Sequence, residues 1–290
     1  MAGLGLVDLV DDTTYSGNAI TAHMVAVPSA LDEPVWAAAF LMRQLRDTNF
    51  EYPFQENKTP TQYGYKLIGE EKFVNEHTYS IMHMQGRMPS FSRFMEGKFG
   101  KFGTMPDRVK SFGYDLDCVL NSNASDIAVV DIGGGRGEML LEVKEAYPHL
   151  RKENLVLQDF EPDTANAEDL TIQHWDFKDK SAQPYKGALV YSLTHIYHNL
   201  SDIEALKLMK KVADAMEPHS RMLIHEFAKN STYGKMHATM ITLYAGRIRS
   251  SREWKEMAAL VGLEVTFEAY PIGGEGLVEM RKSPLANGTT

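Results

Sequence analysis

The chain has 290 residues, a formal net charge of −9 and a single cysteine, Cys118. The acidic balance argues against nucleic acid or an anionic membrane as partner and leaves a small molecule as the expected one. One cysteine excludes an intramolecular disulfide framework and fits a reducing compartment, so a cytoplasmic protein is expected. No apolar run approaches the ~18 residues that a membrane helix needs.

Residues 3–50 read as helical, most clearly from Val35 to Phe50, where apolar residues recur at helical spacing. The Pro and Asn punctuation between Phe50 and Tyr65 predicts loops. Between Glu70 and Cys118 two or three further helices are expected, broken by Pro89 and by Gly97, Gly100 and Gly103. That stretch gathers Met82, Met84, Met88, Phe91, Phe94 and Met95, a cluster expected to be core rather than pocket. A polar linker, Asn121 to Asp126, then leads into a different pattern. The expected division is a helical domain over 1–105 and a second domain over 106–290.

The second pattern opens with "IAVVDIGGGRGEML", Ile127 to Leu140. Its β-branched run predicts a strand, its glycines a tight turn, and Met139, Leu140 and Val143 the apolar face of a helix. Glycines at 133, 135 and 137 admit a ligand that side chains would exclude, and a helix start offers unpaired N–H groups. A dinucleotide fingerprint beginning at Gly133 would need glycine at 138, where Glu138 stands. The motif is acid-x-G-x-G-x-G, with Asp131 beside the turn and Gly134 within it. A carboxylate there repels pyrophosphate but suits a ligand with ammonium and sulfonium charges, which points to S-adenosylmethionine.

Strand and helix alternate from here. "NLVLQDF" predicts a second strand ending at Asp159 and Phe160, "ALVYSLTHIYH" a third and "RMLIHEF" a fourth. Helices are predicted over "SDIEALKLMKKVADAM", with Ser201 as N-cap and Glu204 in capping-box position, and over "SSREWKEMAALVG", closed by Gly262. "LEVTFEAY" and "GLVEMR" read as a terminal antiparallel pair. The fold class is therefore α/β, a doubly wound Rossmann-like sheet with ligands at the carboxyl ends of its strands.

Asp159 at such an end suits the two ribose hydroxyls of a nucleoside, and Asp176 beside Trp175 and Phe177 suits an adenine amino group under an aromatic cover. His198 falls just past the third apolar run, where the reactive group of the cofactor is expected. Glu226 closes the next strand and is placed to orient the imidazole. Glu253 is either a second orienting acid or an ordinary first-turn acid. His195 reads as a packing residue, and His195 with His198 lacks a recognisable third metal ligand, so no metal is expected.

Taken in order, "VVDIGGGRGEML", "LVLQDFEP", "WDF", "IYHNLSD", "MLIHEF" and "RIRSSREWKEMAALVGL" resemble the S-adenosylmethionine-dependent O-methyltransferases of the plant caffeate/flavonoid type and their fungal secondary-metabolism relatives. The resemblance spans almost the whole chain. It implies His198 as general base, Glu226 and Glu253 as flanking acids, and Gly133, Asp159, Asp176 and Phe177 as cofactor residues. It also implies a winged-helix-like N-terminal domain that dimerises, here shortened at its start, so that a weakened or altered homodimer is expected. Leu200 stands where the family has a Trp, and Thr194 where it commonly has a basic residue. The expected acceptor is a phenolic or enolic hydroxyl of a small aromatic or polyketide-type metabolite. Two alternatives stay open: a pericyclase or dehydratase on the same scaffold, and a non-catalytic cofactor-binding accessory protein.

Overall fold

The computed structural model describes residues 8–10, 14–16, 28–91, 103–162, 168–230 and 233–284. It divides into two compact units, one of residues 1–101 with 241–245, the other of residues 102–240 with 246–290.

In the first unit β1 (Asp8–Leu9) and β2 (Tyr15–Ser16) pair antiparallel, and the Val10 N–H donates to the Thr14 carbonyl at 2.9 Å. This corrects the helical reading of residues 3–50. β-branched Val10 and Thr14 favour extended backbone around that bridge, and the helix α1 is Pro28–Asp47. The loop expected over Phe50 to Tyr65 is also corrected, since α2 (Pro60–Ile68) begins inside it. Pro60 sits where a helix tolerates proline, and Thr59 and Gln62 form a capping box, with the Thr59 N–H donating to Gln62 Oε1 at 3.0 Å. Trp36 packs on Phe40 and Tyr65 at 4.9 and 5.1 Å between ring centroids, and Tyr65 on Phe73 at 4.7 Å. On α3 (Thr78–Met84) Ile81 and Met82 are buried, as the core reading expects, whereas Met84 is half exposed. Phe94 and Met95 lie outside the described residues. The unit gains residues 241–245 through Thr78 Oγ1, which donates to the Leu243 carbonyl at 2.7 Å, and Tyr52 OH, which donates to that of Ile241 at 2.5 Å.

The second unit holds α4 (Met105–Ser111), α5 (Leu116–Leu120), β3 (Val129–Ile132), α6 (Glu138–Ala146), β4 (Leu155–Asp159), β5 (Thr171–His174), β6 (Val190–Thr194), α7 (Asp202–Ala215) and β7 (Arg221–Phe227). After α8 (Gly234–Tyr244), whose last four residues count with the first unit, come α9 (Ser251–Leu260), β8 (Leu263–Ala269) and β9 (Glu275–Lys282). The sheet order is β5-β4-β3-β6-β7-β9-β8, parallel except that β9 runs antiparallel to both neighbours. β5 is a strand that the count from sequence passes over. It is a half-buried edge with one apolar residue, Ile172, so it carries no hydrophobic run.

Helices cover both faces, which is why the inner strands read as unbroken apolar runs. On one face Val130, Tyr191 and Ile224 meet Leu208, Met209 and Val212 of α7 and Trp254 and Met257 of α9. On the other Val129, Leu157 and Leu223 meet Met105 and Val109 of α4, Val119 of α5, and Leu140 and Val143 of α6. Each such side chain contributes about 1.5–3 kcal/mol by burial. The packing fixes the strand ends to which the polar residues are attached. Strand order reverses at β3, whose neighbours β4 and β6 lie on opposite sides. The crevice at their carboxyl ends is where α/β sheets of this kind bind ligands.

Candidate active site

Two turns stand at that crevice, the glycine turn after β3 and the histidine turn after β6. In the first, Asp131 is the third residue of a wholly buried strand and is 1 % exposed. A Cβ on Gly134 would stand 2.2 Å from Asp131 Oδ2 and 2.6 Å from Leu157 Cδ1, so the backbone closes over the acid only because residue 134 has no side chain. Gly135 is different: its φ of +59° needs glycine, and a Cβ there would meet nothing within 4 Å. The turn is thus packed on its inner side and open on its outer side. Burial, reinforced by the Asp159 and Glu138 charges, pushes the Asp131 carboxyl up to about 8.

Asp159 ends β4 beside the turn, accepting from the Gly135 N–H at 2.9 Å and from the Glu161 N–H at 3.1 Å. Phe160 follows it, 54 % exposed. One strand further out, past the end of β5, Asp176 accepts from the Lys178 N–H at 2.8 Å. Phe177 packs partly against the core, and Lys211 fixes this segment by donating to the Phe177 carbonyl at 2.9 Å and that of Asp179 at 2.6 Å.

Do these residues fit the cofactor that the sequence implies? Asp131 Oδ1 is buried and has no hydrogen-bond partner, and so is the Oγ of Ser192, its register partner on β6. Buried polar atoms are rarely left unbonded. Two such atoms side by side at the switch point, under a turn open outwards, fit a ligand with polar and cationic groups. The donor set matches S-adenosylmethionine.

The second turn carries a buried His–Glu pair. His198 lies on a 3₁₀ turn, Tyr197–Asn199, and is 4 % exposed. Its N–H donates to Glu226 Oε1 at 3.0 Å, and its Nδ1 lies 2.6 Å from Glu226 Oε2. Burial alone would raise the Glu226 carboxyl, but the His198 charge and hydrogen bonds outweigh it and hold that carboxyl below its ordinary range. An ionised Glu226 at Nδ1 fixes the tautomer with its proton on Nδ1 and leaves Nε2 as the basic nitrogen.

Glu253 is not brought to this imidazole. Its Oε2 accepts from the Ser250 N–H at 2.7 Å and the Ser250 hydroxyl at 2.9 Å; its Oε1 accepts from Arg247 at 2.8 Å, and Lys229 lies 3.2 Å from both oxygens. Burial works against its ionisation, yet these partners bring the carboxyl down to about 2. The expectation of a second orienting acid is therefore corrected to a capping acid at the start of α9. Glu204, expected in a capping box, instead pairs with Lys207 at 2.6 Å, although Ser201 caps α7 as expected.

His195 is also not the ordinary packing residue that its sequence suggests. It is buried with φ +57°, its Nε2 lies 2.6 Å from Glu275 Oε1, and it stacks on Phe227 at 4.9 Å. Burial holds its imidazole below the ordinary range. Arg108 lies 2.8 Å from the other Glu275 oxygen. Ligand atoms of His195, His198 and Glu226 lie within 4.8 Å of one another, the third metal-capable group that sequence spacing lacks. The 2.6 Å contact between His198 Nδ1 and Glu226 Oε2 is that of two atoms sharing a proton.

The residues missed from sequence are Glu275, Gly246 and Arg249, all distant in sequence from the turns they serve. A Cβ on Gly246 would lie 2.2 Å from the His198 carbonyl oxygen and 2.6 Å from the Asn199 carbonyl carbon. Arg249, 1 % exposed, donates to the carbonyls of Tyr197 at 2.6 Å and Leu200 at 2.9 Å. An arginine in "RIRSS" gives no local signal of this.

Known proteins match across both turns. The O-methyltransferase domain matches residues 120–264. The O-methyltransferase bfoE of Aspergillus brasiliensis is 55 % identical over 292 residues, covering 97 % of this chain and 78 % of its own length. Among solved structures, OxaC superposes with a TM-score of 0.81 at 18 % identity, covering 97 % of this chain and 73 % of that one. A structure described as a pericyclic reaction enzyme superposes at 0.78 with 20 % identity, covering 98 % and 74 %. At such identities the likeness is one of fold, and the fold is the α/β sheet of the S-adenosylmethionine-dependent methyltransferases. The chain belongs to the O-methyltransferase family, in its fungal secondary-metabolism branch, whose members draw their methyl group from S-adenosylmethionine.

Proposed function

We propose that the enzyme methylates a phenolic or enolic hydroxyl of a small aromatic or polyketide-type metabolite, with His198 as general base. The observation that carries this reading is the 2.6 Å contact between His198 Nδ1 and a buried, ionised Glu226 at the carboxyl end of β7. A phenol with a pKa near 10 is almost wholly protonated at neutral pH. His198 Nε2 takes that proton as the oxygen attacks, and Glu226 stabilises the imidazolium that results. Asp159 serves the ribose hydroxyls, Asp176 and Phe177 the adenine, with Phe160 at its edge. Asp131 and Gly133 to Gly135 serve the amino-acid portion. The bound cofactor supplies an electrophilic methyl group on a sulfonium. Holding oxygen and methyl near 3 Å contributes several kcal/mol by itself.

In the same reading the first unit dimerises and covers the substrate, and the enzyme acts in the cytoplasm as a homodimer. Incubation with methyl-labelled cofactor and a panel of phenols and polyketide enols, followed by mass spectrometry, tests the reaction. A labelled O-methyl product is expected. A product of unchanged mass formed with the cofactor intact points instead to cyclisation, and cofactor binding with no turnover to an accessory role. Sedimentation at two concentrations tests the dimer.

A further inference from the structure

Among the described residues of the second unit Arg249 is the largest cation buried completely, and its bonds converge on one short segment. One terminal nitrogen donates to the Tyr197 carbonyl at 2.6 Å and to that of Arg247 at 3.2 Å. The other donates to the Leu200 carbonyl at 2.9 Å and to Asp202 Oδ1 at 2.9 Å, and Nε reaches that same oxygen at 3.2 Å. Tyr197 and Leu200 are the residues on either side of His198 and Asn199. The guanidinium therefore spans the turn that carries the imidazole and holds both of its ends.

Two neighbours hold the guanidinium in turn. The Trp254 ring lies 5.6 Å from its central carbon and packs edge-on against the Tyr197 ring at 5.5 Å. Gly246, three residues earlier, brings its backbone against the His198 carbonyl, where any side chain would collide with main-chain atoms that cannot swing away. The carboxylate facing Arg249 is Asp202, itself 48 % exposed and shared with Arg247 at 2.8 Å. A buried cation with so partial a counter-charge is an expensive way to fill space, because an apolar side chain of similar volume usually stabilises as well or better. What an apolar side chain cannot supply is a rigid planar fork that fixes two carbonyls a set distance apart.

We infer that Arg249, seated by Gly246, is a positioning residue that sets the orientation of the His198 imidazole toward Glu226. The inference concerns the placement of the ring, and its bearing on turnover rests on the reading of His198 as the base.

The test compares wild type with Arg249→Met, Arg249→Lys and His198→Gln by NMR and kinetics. It follows the exchange of the His198 amide, which donates to Glu226, and the downfield proton of Nδ1, assigned by its loss in His198→Gln. In Arg249→Met, protection of that amide should fall at least about tenfold relative to core amides. The Nδ1 proton should move or disappear, and kcat should drop by roughly 10- to 100-fold, the scale of a misplaced catalytic group. Affinity for S-adenosylhomocysteine should stay within about twofold, because its site lies on the other turn. A guanidinium that merely stabilised the fold would lower Tm and leave both His198 signals in place, and that result overturns the inference. If Arg249→Met yields no folded protein, the same two signals in Arg249→Lys decide: a fall of about threefold or more in protection supports the inference, no change overturns it. Loss of both signals with turnover unaffected supports the positioning role while removing His198 as base.

Discussion

The two turns at the mouth of the sheet are built in contrasting ways. Around the histidine turn the groups that fix the imidazole are paired within the chain, His198 with Glu226, His195 with Glu275, and the carbonyls of Tyr197 and Leu200 with Arg249, although Thr194 Oγ1 and His225 Nε2 beside it are buried without a partner. Around the glycine turn two buried oxygens, Asp131 Oδ1 and Ser192 Oγ, have none, and the turn itself is backbone folded over an acid. The imidazole is held by charged and main-chain partners, the acid of the glycine turn by backbone packing alone. On the proposed reading the contrast teaches that a base is held in a geometry fixed beforehand, whereas a site for a charged nucleoside keeps polar groups free to meet it.

The largest effect that can break this comparison is at His198. Replacing it by Ala should lower kcat by about 10²–10⁴ while S-adenosylhomocysteine binds within about twofold of wild type. An equal loss of binding would merge the two turns into one unit. The next effect is on stability of the protein without cofactor. Asp131 has a folded pKa of about 8 against 3.8 for an ordinary carboxyl, so between those values the folded state holds more protons than the unfolded one and stability falls as pH rises. Asp131→Asn should therefore unfold at higher denaturant than wild type at pH 8, by at most about 5 kcal/mol, with the difference gone near pH 4. It should also bind S-adenosylhomocysteine at least about tenfold more weakly, because the amide cannot ionise to meet the ligand's ammonium as the carboxyl can.

His225 works the other way. Wholly buried on β7, it is brought down by burial to about 4 from 6.5, so the folded state holds fewer protons and its contribution, present above about pH 6.5, is lost as pH falls towards 4. In His225→Gln the acid-induced loss of stability over that window should shrink by up to about 3 kcal/mol, as urea titrations at pH 4.5 and 7 would show. The smallest effect sharpens the boundary of the histidine turn. Glu253→Gln should cost about 1 kcal/mol of stability through its cap and leave kcat within about twofold. A tenfold drop in kcat would return Glu253 to the catalytic group.

What could be read beforehand follows from how far apart the partners lie in sequence. The glycine turn, Asp159 at its strand end, and the Ser201 cap are local patterns, and each stands where those patterns predict. His198 is legible from its distance past an apolar run and Glu226 from the end of the next. The pairing of His195 with Glu275 spans 80 residues and the bond from Arg249 to Tyr197 spans 52, and no periodicity in either segment reports on the other. Glu253 misled for a related reason: a first-turn acid looks the same whether it caps its own helix or turns to a neighbour. β5 was passed over because a sheet edge half open to water carries no apolar run.

The position of β9 bears on how the molecule is made. It lies between β7 and β8 yet follows both in the chain, and its first residue is the Glu275 that grips His195. As the polypeptide leaves the ribosome, β7 lacks its partner on that side until residues 275–282 have emerged, because among the described residues that partner is β9. A nonsense codon anywhere before that strand would leave a sheet edge exposed to aggregation and a histidine without its acid.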